Sequence, residues 1–95
     1  MSVQLIITFN VAGGKLPAFV QIMQQVKSSL PQVAGCEAVR IFNDFADDHV
    51  FILVETWESA EAHRAHIENA VASGGWAHLR AHLACDPASS YYREF

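Results

Sequence analysis

Val3, Leu5, Ile7, Phe9 and Val11 alternate with Gln4, Ile6, Thr8 and Asn10 near the start of the chain. A two-residue period rich in β-branched types predicts a strand, because successive strand side chains point to opposite faces. Gly13-Gly14 marks a turn. The period then changes. Leu16, Phe19, Val20, Met23, Val26 and Leu30 recur at three- and four-residue steps, one apolar stripe of a helix. Pro17 suits the first helical turn, and Pro31 stops the helix near Leu30.

A second strand is expected from Cys36 to Asn43, with Val39 and Ile41 on one face and Ala38, Arg40 and Phe42 on the other. The polar turn Asp44 to Asp48 joins it as an antiparallel hairpin to a third strand, His49 to Trp57. Between Val50 and Val54 this strand is apolar on both faces, as in a strand covered on both sides. Ser59 is an N-cap and Glu61 favours the positive end of a second helix, Ala60 to about Ala72. Gly74-Gly75 interrupts it. Trp76, Leu79 and Leu83 suggest a short third helical piece before Asp86-Pro87, and Ser89 to Phe95 reads as a last strand. The order β-α-β-β-α-β predicts an α+β, ferredoxin-like fold with a four-stranded antiparallel sheet and helices on one side.

Composition adds a partner to this picture. Ninety-five residues make a single domain, 1–95, with a thin core. The apolar share is 52% and the charged share 17%, against a usual ~45–50% and ~25%. A one-sheet domain has nothing of its own to cover the second face of the third strand, so a homodimer is expected. The net charge is −4 and the six basic residues are scattered, which argues against nucleic acid. Apolar runs fall far short of the ~20 residues of a membrane span. The opening residues show no secretion signal, and Cys36 and Cys85 form no C-x-x-C motif. Buried thiols and a cytoplasmic location are the expectation.

Candidate chemistry gathers where the third strand meets the second helix. Leu53, Glu55 and Trp57 share a strand face, and His63 and His66 are helix neighbours three residues apart. A neutral histidine in an apolar pocket can take a phenolic or enolic proton near pH 7. Trp57 offers a flat wall and one N–H donor. Half-exposed histidines over a core ring are the structural alternative. Asn10 could hydrogen-bond a ligand oxygen or merely its own loop. Glu55 is explained most simply by an ion pair with Arg40. His78 and His82 have metal-ligand spacing but no third ligand, so a solvated helix face is expected. No P-loop, dinucleotide fingerprint or nucleophile elbow is present in the sequence.

Val54-Glu55-Thr56-Trp57-Glu58 followed by Ala62 and His66 resembles the signature of the antibiotic biosynthesis monooxygenase domain, a Glu-x-aromatic strand end with Ala and His on the next helix. Pro31 to Gly35 resembles that family's Pro-Gly-containing entry into the second strand. The resemblance implies a dimeric α+β barrel of two sheets closed face to face, with a pocket between sheet and helices in each protomer. It also implies a range of activities: cofactor-free oxidation of anthrones or quinols, haem degradation, and isomerisation of a signalling molecule. In the anthrone-oxidising members the strand tryptophan matches Trp57 and an aromatic site residue falls on His63, while their strand asparagine falls on Leu53. The haem-degrading members have tryptophan where this chain has His66, and their strand-one asparagine matches Asn10. That mixture argues against haem.

The expectation is therefore a cofactor-independent, metal-free monooxygenase-like protein that oxidises a phenolic, quinol or anthrone-type small aromatic with O2. His66, His63, Trp57 and Asn10 are the candidate catalytic residues. Leu53, Glu55, Phe9, Phe19, Met23 and Trp76 are the candidate substrate contacts. The alternatives are an isomerase acting on a small oxygenated metabolite and a non-catalytic dimeric ligand-binding module.

Overall fold

The computed structural model describes residues 2–95. Its elements are β1 (Val3–Asn10), α1 (Leu16–Ser29), a 3-10 turn at Leu30–Gln32, β2 (Cys36–Asn43), β3 (Val50–Trp57), α2 (Ala60–Ser73), α3 (Gly75–Arg80) and β4 (Ala88–Tyr92). The strands form one antiparallel sheet in the order β2-β3-β1-β4. This is the ferredoxin-like α+β arrangement expected from the element order.

The alternation in β1 becomes a division between faces. Leu5, Ile7 and Phe9 are buried beneath the helices, as are Phe51, Leu53, Glu55 and Trp57 on β3. Register aligns the two sets, with Leu5 opposite Glu55 and Phe9 opposite Phe51. Phe19 and Met23 on α1 close over this face, and Phe19 sits 5.7 Å from the Phe9 ring and 5.2 Å from Phe51. Leu83, just past α3, bridges to Val11 and extends the same core.

Gly35 fixes how α2 meets the sheet. Its φ is +87°, and a Cβ there would lie 2.6 Å from the Ala62 Cβ. Glycine in this turn and alanine on α2 let backbone and helix approach closely. Ser59 caps α2 by accepting from the Ala62 N–H at 3.1 Å, and Gly74 ends the helix in the left-handed region at φ +82°.

The even-numbered face is different. Ile6, Ile52 and Val54 are only half-buried there and Phe42 is 45% exposed, because the helices pack on the other side. The expected cover on both sides of β3 is thus supplied by this chain on one side only. Cys85 is exposed and Cys36 half-buried, both as free thiols, so the expectation of buried cysteines does not hold.

Candidate functional site

Between the odd-numbered sheet face and the helices lies a cavity of about 750 Å³, within the ~300–1,000 Å³ usual for small-molecule sites. Phe9, Leu53 and Glu55 form part of its strand floor. Met23 enters from α1, His63 and His66 from α2, and Trp76 from α3. Tyr91 on β4 closes one side.

Trp57 lies beneath the histidines rather than in the cavity wall. It is fully buried, with its ring centroid 5.3 Å from His63 and 5.4 Å from His66. Its indole N–H donates to Glu55 Oε1 at 2.9 Å. The one N–H donor that Trp57 offers is thus already bonded to a carboxyl two residues away. Trp57 instead seats both imidazoles, and Glu55, 6% exposed, reaches the cavity.

Two other expected contacts lie elsewhere. Asn10 has the even parity of β1 and does not line the cavity; it sits opposite Val50 at the strand end, where its carbonyl accepts from the Ala84 N–H at 2.8 Å. Phe19 is completely buried and supports the cavity from behind without lining it. The ion pair between Glu55 and Arg40 is also absent. Val39, not Arg40, lies opposite Glu55, and the Arg40 guanidinium sits over the Phe42 ring at 5.1 Å on the other face.

Burial sets the protonation of the site. It pushes the Glu55 carboxyl above its ordinary value, with the Trp57 hydrogen bond opposing the shift. It pushes His66 below the usual histidine value, and lowers His63 by burial first, then by the neighbouring His66 and Arg64 charges. Both imidazoles are held neutral near pH 7 as a result. His63 Nδ1 and the Tyr91 hydroxyl share a hydrogen bond of 2.6 Å. Tyr91 was not among the expected site residues. Its last-strand position and its aromatic type were the only signals, and neither places it beside a helix 28 residues away.

The sequence profile for antibiotic biosynthesis monooxygenases matches residues 2–84. The chain belongs to this family. No curated protein sequence matches it. Its fold recurs in solved structures. A crystal structure titled antibiotic biosynthesis monooxygenase is 16% identical, with a TM-score of 0.86 over 98% of each chain. A Pseudomonas aeruginosa protein is 20% identical, with a TM-score of 0.83 over 99% of this chain and 94% of that one. A variant of SnoaB, a cofactor-independent oxygenase from Streptomyces nogalater, is 14% identical, with a TM-score of 0.80 over 98% of this chain and 92% of that one. At such identities the likeness shows the fold. Within this antibiotic biosynthesis monooxygenase domain, Trp57 joins Glu55 by a hydrogen bond and His66 by ring contact, whereas Tyr91 lies beyond the matched residues.

Proposed function

We propose that this chain is a cofactor-independent monooxygenase that oxidises a phenolic, quinol or anthrone-type aromatic with O2. The observation that carries the reading is an apolar cavity of about 750 Å³ with two neutral histidines on its wall. Family membership and the fold shared with a cofactor-independent oxygenase support it.

An imidazole takes a proton from the bound aromatic and the electron pair stays on the substrate. The anion then passes one electron to O2, and the resulting pair recombines at carbon. For an anthrone the ring CH2 becomes a carbonyl: one oxygen atom of O2 becomes the carbonyl oxygen, and the other leaves as water with the two hydrogens. Leu53, Phe9, Met23 and Trp76 supply the apolar surround that keeps water from the charged intermediates. Glu55 offers a hydrogen-bonding group at the floor of the cavity, oriented by Trp57.

The uncovered sheet face supports a homodimer. Ile6, Ile52, Val54 and Phe42 form an apolar surface that a second copy, closing sheet to sheet, would bury. The cavity lies on the opposite side of the sheet, so sheet-to-sheet pairing does not fill it.

Oxygen uptake tests the reading. Metal- and flavin-free protein is expected to consume O2 with at least one member of a panel of hydroquinones and anthrones, and His66→Ala to lose that activity. Substrate turnover without O2 would favour the isomerase alternative instead. No turnover under either condition, with tight binding of the same aromatics, would favour a ligand-binding module.

A further inference from the structure

The two imidazoles on the cavity wall are not equivalent. Tyr91 approaches His63 from β4 with its hydroxyl 2.6 Å from Nδ1, the two rings 5.4 Å apart and nearly perpendicular at 80°. The Arg64 guanidinium carbon lies 5.8 Å from the Tyr91 ring centroid and flanks the phenol. His66 lines the same cavity, and the hydrogen bond to Tyr91 is made by His63 and not by His66. Trp57 from β3 and His66 and Arg64 on its own helix also surround His63, and Glu55 lines the same cavity.

A neutral imidazole carries one N–H and one lone pair. When the Tyr91 hydroxyl donates to Nδ1, the proton of His63 resides on Nε2 and the ring has no lone pair left to offer. We propose that Tyr91 is a positioning residue that ties up Nδ1 of His63, so that His63 is a hydrogen-bond donor and His66 alone receives the substrate proton. This assignment rests on the proposed oxidation and deepens it. The substrate O–H or C–H bond breaks, its proton binds a ring nitrogen of His66, and the electron pair remains on the substrate.

Nitrogen-15 NMR of the imidazoles tests the link without any substrate. In the unaltered protein His63 is expected as the Nε2–H tautomer with a hydrogen-bonded Nδ1. Tyr91→Phe, which keeps the ring, is expected to shift the His63 Nδ1 resonance and raise its titration midpoint, since a bond to the neutral form is lost; His66 is expected to stay unchanged. An Nδ1–H tautomer in the unaltered protein, or a His63 spectrum indifferent to Tyr91→Phe, overturns the proposal. Turnover then tests the division of labour. His66→Ala is expected to lower kcat by about 10²–10⁴-fold, whereas His63→Ala, which removes a donor and not the base, is expected to lower kcat less and to raise KM. Loss of kcat in His63→Ala with retention in His66→Ala contradicts the assignment. Intact NMR signatures with no turnover on any aromatic would instead count against the oxidation itself.

Discussion

The indole N–H of Trp57 donates to Glu55 Oε1 at 2.9 Å, joining two side chains on the same face of β3 beneath both cavity histidines. Removing the donor leaves a buried carboxyl oxygen without its partner, which costs about 1–3 kcal/mol. Trp57→Phe is expected to lose at least that much in urea denaturation, whereas Glu55→Gln, which preserves an acceptor for the indole, is expected to lose far less. Equal losses in the two variants would contradict this reading of the pair.

Glu55 also makes stability depend on pH. Its folded pKa is raised by burial, so the folded state binds its proton more tightly than the unfolded chain does. The contribution is present below the ordinary glutamate value and is lost as pH rises through the folded value. Denaturation midpoints of Glu55→Gln measured against pH should lack this decline. Identical pH profiles for the two proteins would show that Glu55 ionises as it does in water.

His63 and His66 act in the opposite sense. Their pKa values are depressed in the folded protein, so stability is fully present above the unfolded value of ~6.5 and falls as pH drops from there through the folded values. The acid limb of kcat/KM is expected to bend below pH ~6.5, because the base stays unprotonated further into acid. A limb at or above that point would contradict the lowering of the histidines by burial.

Much of this arrangement is legible in the chain, for physical reasons that differ by element. Alternation in β1 and the three- and four-residue steps of α1 each report burial of one face, and the elements fall where those periods predict. Strand parity and helix spacing likewise bring Trp57, His63 and His66 together. Parity also explains the two misplacements. Asn10 and Arg40 belong to the even-numbered faces of their strands, so a site containing Asn10 and an ion pair joining Arg40 to Glu55 both require side chains to cross the sheet. Tyr91 was illegible because its partner depends on β4 pairing with β1, a long-range choice that no local period encodes.

Gly35 offers a test of packing at the strand-to-helix junction. Gly14 and Gly35 share positive φ, +81° and +87°, but only Gly35 has a neighbour, the Ala62 Cβ 2.6 Å from where its own would be. Gly14→Ala should cost about 1–2 kcal/mol in backbone strain. Gly35→Ala should cost a further ~1–3 kcal/mol from overpacking. Thermal denaturation of the pair measures the difference, and similar losses would contradict the close approach of α2.

The apolar even-numbered face predicts a dimer. Sedimentation at micromolar concentration is expected to show two copies, and Ile52→Lys, which places a charge at the centre of that face, is expected to give monomers. A monomeric unaltered protein would contradict the sheet-to-sheet pairing.

The source of the oxygen atom tests the proposed chemistry most directly. Metal- and flavin-free protein turning over an anthrone under ¹⁸O2 is expected to place one labelled atom in the quinone product, and the rate of labelled product is expected to fall when His66 is replaced by alanine. A product formed at the same rate with no label from ¹⁸O2, or labelled from water, would contradict the assignment of this cavity as a monooxygenase site.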